Sequence, residues 1–283
     1  MPVEIIRTVR EMQKRSGLIR TQGRRIGLVP TMGYLHEGHL SLVRLARKHA
    51  DVVVVSIYVN PAQFGPGEDL DKYPRDLERD EALLDRENAD IIFCPSDSDM
   101  YPVGYASYVN VEGVTGTLCG ASRPRHFRGV TTICTKLFHA VNPHFAVFGQ
   151  KDYQQSLVIR RMVLDLNMDL DIVVAPIVRE SDGLAMSSRN VYLSGEERRD
   201  ALLLNQALRM AEERIKKGER NAVNLIGAMH DLIAAGRHTK IDYISIKDPD
   251  TLEDLEHIQD RALIALAVFA GETRLIDNVI MTV

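Results

Sequence analysis

From Ile26 to Val174 the chain alternates short apolar runs with stretches of helical periodicity. Ile26–Val29 reads as a strand ending at Pro30, and Leu40–His49 carries apolar residues at helical spacing. Val52–Val59 is rich in β-branched residues and reads as a strand buried on both faces. Pro74–Glu87 reads as a helix with proline near its first turn. Ile91–Phe93 follows as a short strand, Val130–Val141 as a helix, Phe145–Phe148 as a strand, Tyr153–Leu166 as an amphipathic helix and Ile172–Val174 as a strand. Strands that alternate with helices predict βαβ units, and therefore a Rossmann-like parallel sheet covered by helices.

The pattern changes after about Asn190. Gly195–Lys217 and Asn221–Ala235 read as helices, broken at Gly218, and three β-like runs follow at Ile241–Ile246, Ala262–Ala270 and Thr273–Met281. The expectation is an α/β protein with a Rossmann-like domain over residues 1–180 and a smaller C-terminal α+β domain over 181–283. At the other end, Glu4, Arg7, Arg10 and Glu11 interrupt the apolar residues of Met1–Lys14, which reads as an amphipathic helix and not as a signal peptide.

Composition narrows the function classes. Of 283 residues, 45% are hydrophobic and 26% charged, as in ordinary globular proteins. A net charge of −4 offers no general attraction to a phosphate backbone, which argues against a nucleic-acid partner. The apolar runs are too short to span a bilayer. Cys94, Cys119 and Cys134 are widely spaced, with no C-x-x-C pair, as expected of free thiols in a reducing compartment. A cytoplasmic protein without a membrane partner is the expectation.

Neither a G-x-x-x-x-G-K-[ST] loop nor a G-x-G-x-x-G fingerprint occurs. The candidate nucleotide site is instead the run Pro30-Thr31-Met32-Gly33-Tyr34-Leu35-His36-Glu37-Gly38-His39, between the first predicted strand and a helix. Ligands of open α/β sheets sit beyond the strands' carboxyl ends, where helix N-termini offer N–H groups to anions. His36 and His39, three apart, share one face of a first helical turn and can donate to charge growing at a phosphorus. Helix capping and zinc binding are the alternatives; zinc lacks further ligands of the usual spacing. At a second strand-to-helix junction stand Gly149, Gln150, Lys151 and Asp152, followed by Gln155. Asp152 suits a helix N-cap, whereas Lys151 opposes the helix dipole unless an anion is near. A third cluster runs from Arg179 through Met186, Ser187, Ser188 and Arg189 to Asn190; hydroxyls beside a forked cation suit phosphate oxygens, and a plain polar loop is the alternative. A fourth, Asn60-Pro61-Ala62-Gln63-Phe64-Gly65, offers in Gln63 both a donor and an acceptor for reading hydroxyl and carboxylate groups.

Together, P-T-M-G-x-L-H-E-G-H, N-P-x-Q-F-G, G-Q-K-D-Y-Q-Q and D-G-L-A-M-S-S-R-N resemble the signatures of the pantothenate synthetase family, a relative of class I aminoacyl-tRNA synthetases and nucleotidylyltransferases. The first looks like that family's version of the HIGH motif, and Met186–Arg189 like the counterpart of the KMSKS loop. The resemblance implies an ATP-dependent condensation of pantoate with β-alanine through a pantoyl adenylate, releasing pyrophosphate and AMP, with Mg²⁺ present and a homodimeric assembly. It implies ATP contacts from Met32, Gly33, Tyr34, Leu35, His36, Glu37, Gly38 and His39, with His39 nearest the reacting phosphate. It implies further ATP contacts from Gly149, Gln150, Lys151 and Asp152, from the Val178 backbone, and from Met186, Ser187, Ser188 and Arg189. Gln63 and Gln155 would hold pantoate. Tyr34 departs from the family pattern, which has a smaller residue there. A nucleotidylyltransferase that stops at adenylylation, a tRNA synthetase, and a non-catalytic nucleotide-binding regulator are the rival readings.

Overall fold

The computed structural model describes residues 3–283. In chain order the elements are β1 (Glu4–Ile6), α1 (Val9–Thr21), β2 (Ile26–Thr31), α2 (Glu37–Arg47), β3 (Val52–Ile57), α3 (Leu77–Arg86), β4 (Ile91–Phe93), α4 (Asp97–Met100), α5 (Cys119–Ser122), α6 (His126–Val141), β5 (Phe145–Gly149), α7 (Tyr153–Asp165), β6 (Asp171–Ala175), α8 (Gly195–Lys216), α9 (Ala222–Ala234), β7 (Thr239–Lys247), β8 (Arg261–Ala270) and β9 (Thr273–Thr282). Two compact units result. One takes the chain up to Thr115 together with Arg123–Gln150 and Gln154–Pro176; the other collects Gly116–Ser122, Lys151–Tyr153 and Ile177–Val283.

The first unit is built on a six-stranded sheet in the order β1-β4-β3-β2-β5-β6, with every pair parallel. All of Val52–Ile57 is buried, as a central strand with both faces covered requires. Val29, Val53, Val55, Ile92 and Val147 form one apolar layer, and Leu40, Val43 and Ala46 of α2 pack into it. From β2 the chain builds outward through β3 to β4; at β5 it returns to the other flank of β2. This reversal makes the carboxyl ends of β2 and β5 the topological switch point of the sheet, the usual ligand position in such folds.

Strand β2 continues through Pro30 to Thr31, beyond the expected stop. Thr31 carbonyl accepts from Tyr58 N–H on the β3 side, so Pro30 presents its missing donor toward β5, where pairing covers only Gly27 and Leu28. The expected helix over Met1–Lys14 is a correction. Glu4–Ile6 pairs with Ile91–Phe93 as an edge strand, and the helix begins only at Val9, capped by Thr8 Oγ1 accepting from Glu11 N–H at 3.2 Å; Met1 and Pro2 lie outside the described residues.

The second unit contains α8, α9 and the antiparallel sheet β7-β8-β9. Helix α8 starts at a capping box formed by Ser194 and Glu197, and Asn221 caps α9. Central strand β8 is almost wholly apolar, and its Ala262, Ile264, Leu266 and Val268 join Leu204, Leu208, Leu225 and Met229 from the helices in one core.

Candidate active site

After β2 the chain turns through two successive left-handed residues, Gly33 (φ 82°) and Tyr34 (φ 47°). A side chain at position 33 would also stand 3.0 Å from Ile57 Cγ2 and 3.1 Å from Asp80 Oδ2, so glycine is required twice over. The turn satisfies its own donors. Gly33 N–H donates to Thr31 Oγ1 (3.1 Å), Tyr34 and Leu35 N–H to the two carboxylate oxygens of Asp80 (2.7 Å each), and His36 N–H to His39 Nδ1 (3.3 Å). The N–H groups of Gly33, Tyr34, Leu35 and His36 are therefore committed internally. The ring centroids of His36 and His39 lie 4.0 Å apart. With Nδ1 accepting, the His39 proton belongs on Nε2, which makes that atom a donor. Tyr34 places its ring 4.9 Å from the Arg79 guanidinium, so its bulk packs on a cation.

Gln63 closes a 3₁₀ turn, Pro61–Gln63, that follows β3, the strand next to β2. It is almost fully buried, at 9% exposure. Asn60, completely buried, donates from Nδ2 to Gln63 Oε1 (2.9 Å) and to Gly129 carbonyl (3.1 Å), while its Oδ1 accepts from Tyr101 hydroxyl (2.8 Å) and Ala62 N–H (3.2 Å). This network fixes the orientation of the Gln63 amide: its oxygen faces Asn60 and its NH₂ is turned the other way. Arg123 and His126 approach the Gln63 carbonyl at 3.1 and 2.9 Å, and Arg123 also forks onto Glu68. Burial by itself pushes the Glu68 carboxyl up, but the Arg123 hydrogen bond and charge outweigh it and hold it below its usual range. Gly149 and Gln150 follow β5, on the other flank of β2. On α7, Gln154 is buried and donates to Val114 carbonyl (2.9 Å), and the next residue, Gln155, is half-buried.

The remaining candidates belong to the second unit. Residues 178–186 form a small hairpin: Met186 N–H donates to Val178 carbonyl (3.0 Å), Glu180 N–H donates to Leu184 carbonyl (2.8 Å), and Gly183 (φ 98°) makes the turn. The stretch for which a plain polar loop is the alternative reading thus begins as a hairpin. Asp277 on β9 grips Arg179 through both oxygens, at 2.6 and 3.0 Å, and Arg198 bridges Glu180 and Asp182. Ser187 then caps a 3₁₀ helix over Ser188–Tyr192, accepting from Arg189 N–H at 3.3 Å. Beside Asp277, Asn278 donates to the Lys151 carbonyl at 2.9 Å. Adjacent positions of β9 therefore hold both the hairpin and Lys151. The Lys151 ammonium lies 3.7 Å from Asp152, which ends the 3₁₀ turn Gln150–Asp152.

Residues 4–280 match the family model described as pantoate-beta-alanine ligase. The chain belongs to the pantoate-beta-alanine ligase family. The pantothenate synthetase of Acetivibrio thermocellus is 57% identical over 99% of this chain and 100% of its own length, and that of Moorella thermoacetica is 57% identical over 99% of each. Among solved structures, the pantothenate synthetase of Thermus thermophilus superposes with a TM-score of 0.93 at 45% identity, covering 98% of this chain and 99% of that one. The pantoate-beta-alanine ligase of Francisella tularensis, solved with β-γ ATP and β-alanine, superposes at 0.81 and 33% identity, covering 98% and 97%. Family membership therefore stands as expected from the motifs, and the parallel sheet as expected from the alternation of strands and helices. Sequence reasoning assigned no role to Asn60, Asp80, Gly129, Asp277 or Asn278. Asn60 stands inside a quoted motif, but its burial beneath Gln63 has no local signal. Asp80 reaches its partners across more than forty positions of sequence.

Proposed function

We infer that this chain is an ATP-dependent ligase that joins (R)-pantoate to β-alanine through pantoyl adenylate, releasing pyrophosphate and AMP. The observation that carries the reading is the pairing, after neighbouring strands, of an Nε2–H donor at His39 with a Gln63 amide whose oxygen is held by Asn60, in a chain that matches the family along its length. A donor aimed at phosphate and an NH₂ turned toward an acid's oxygens are what adenylation of a carboxylate needs.

In the first step the pantoate carboxylate attacks the α-phosphorus and pyrophosphate leaves. His39 donates to the charge that grows on the phosphoryl oxygens; Lys151, Ser187, Ser188 and Arg189 balance the charge of the phosphates. Met32–Gly38, Gly149, Gln150, Asp152, Val178 and Met186 contact the nucleotide, and Gln63 and Gln155 hold pantoate. In the second step the β-alanine amine attacks the acyl carbon and AMP leaves. No side chain becomes covalently attached; the protein supplies position and charge. Mg²⁺ enters with ATP as part of the substrate, carried on phosphate oxygens. Support for that route is the reluctance of Mg²⁺ to shed water for an all-protein cage.

The assembly is a homodimer in a cytoplasmic setting. The family likeness supports the dimer. Free Cys94, Cys119 and Cys134 suit a reducing compartment, and among the described residues no helix is long and apolar enough to cross a membrane. Product analysis tests the reaction: AMP, pyrophosphate and amide in equal amounts support it. Pyrophosphate without AMP would indicate a nucleotidylyltransferase, and no turnover a binding protein.

A further inference from the structure

We propose that Asp80 is a positioning residue for the adenylation step: its carboxylate clamps the turn after β2 and so fixes the imidazoles of His36 and His39. The proposal rests on the ligase reading above. Asp80 stands on α3, yet it does not cap that helix; Asp76 does, accepting from Arg79 N–H at 3.1 Å. Its own oxygens point away from α3 into the sheet unit, with the residue at 1% exposure. One oxygen accepts Tyr34 N–H and the other Leu35 N–H, both at 2.7 Å. A buried carboxylate is costly unless such donors meet it, and here every close partner serves one turn.

The geometry explains why the residue is an aspartate. Both partners are donors, so both oxygens must accept; an amide has one acceptor and would turn its NH₂ against an N–H. The second half of the clamp is Arg79, whose guanidinium reaches Asp80 at 3.4 Å and covers the Tyr34 ring. Carboxylate, turn, tyrosine ring and guanidinium thus close a circuit around the left-handed pair Gly33 and Tyr34. The next residue carries the consequence. His36 N–H bonds to His39 Nδ1, so a rotation of the turn moves both rings and the Nε2 donor with them.

The test compares two half-reactions in the full-length protein: pyrophosphate release in a single turnover with ATP and pantoate, and transfer of preformed pantoyl adenylate to β-alanine. Wild-type turnover to AMP checks the ligase reading by itself. In Asp80→Asn, at a temperature where circular dichroism shows a folded chain, adenylation falls about tenfold or more, as expected for a misplaced catalytic group, while transfer changes by less than about threefold. Equal losses in both halves, or no loss, overturn the proposal. Should the variant fail to fold, amide hydrogen exchange on the wild-type protein decides: Tyr34 and Leu35 amides exchange slowly if clamped, and exchange at exposed-loop rates overturns the clamp.

Discussion

Replacing Gly129 with alanine bears directly on how Gln63 is held. Gly129 lies in the first turns of α6, and a Cβ built there would stand 2.2 Å from the Ala62 carbonyl oxygen, 2.5 Å from its carbon and 2.8 Å from Gln63 N. Cβ contacts below 3.0 Å essentially do not occur, so the 61–63 turn has to retreat by about 0.8 Å, the gap between 2.2 and 3.0 Å. The obstacle is backbone, so no side-chain rotation relieves it. Retreat stretches the 2.9 Å and 3.1 Å bonds by which Asn60 ties Gln63 to Gly129. Overpacking of this kind costs about 1–3 kcal/mol. In a domain of roughly 150–250 residues each kcal/mol lowers Tm by about 2–4 °C. A displacement approaching 1 Å in a substrate-positioning residue costs on the order of 10–100-fold in kcat/KM. Gly129→Ala should therefore unfold several degrees early and lose kcat/KM for pantoate, while calorimetric ATP affinity changes little. Calorimetry and steady-state kinetics on one preparation give all three numbers. A variant with wild-type Tm and wild-type pantoate efficiency would refute the packing argument; equal losses for ATP and pantoate would refute the assignment of this turn to the acid.

Three further outcomes are expected. Gln63→Ala should reduce kcat/KM for pantoate about tenfold or more, since polar groups of the acid lose a partner worth roughly 1–3 kcal/mol, with ATP affinity nearly unchanged by titration. His39→Ala should fold normally and lose about 10²-fold or more in kcat, as when one transition-state donor is removed; a near-normal kcat in a folded variant would withdraw that role. The Glu68–Arg123 pair should leave a pH signature. Because the folded Glu68 carboxyl lies below its ordinary value of 4.5, the stability it contributes is complete above about pH 4.5 and is lost as pH falls through the lowered value. The stability difference between wild type and Arg123→Ala, followed by urea unfolding, should thus be larger at neutral pH than near pH 3; a difference independent of pH would sink the coupling.

The sheet unit was legible because its inner strands are buried on both faces and read as continuous apolar runs. Val52–Ile57 could hardly be anything other than a central strand, and β5 announces itself in the same way, whereas β6, at the sheet's edge, is only partly buried and shows itself by its β-branched run alone. Glu4–Ile6 was not legible, because three residues with a charge at one end carry no period; pairing with β4 makes them a strand. Strand β2 outran its expected end because the ladder to β5 has already stopped at Leu28, so Pro30 leaves no bond unmade there while pairing with β3 runs on to Thr31. Motif residues could be named from the chain, but their directions could not. Nothing in the 33–36 run shows that Asp80, on a distant helix, takes up the N–H groups of Tyr34 and Leu35. The 179–190 stretch could be named as a cluster of hydroxyls and cations, but not the bracing of its start by Asp277 and Arg198. In each case the missing information is a long-range contact by a buried polar side chain, which leaves no spacing in the sequence to detect.

Oxygen-isotope transfer tests the central claim most directly. If the pantoate carboxylate itself attacks the α-phosphorus, one of its oxygens becomes the bridge of the acyl adenylate. That oxygen departs with AMP when the β-alanine amine cleaves the acyl C–O bond. Incubating the protein with ATP, β-alanine and pantoate labelled with ¹⁸O in its carboxylate, followed by mass spectrometry of the nucleotide, should give AMP carrying one labelled oxygen for each amide formed. Unlabelled AMP alongside labelled pyrophosphate would mean activation at the β-phosphorus, and ADP alongside labelled inorganic phosphate activation at the γ-phosphorus; either result would contradict the adenylate route.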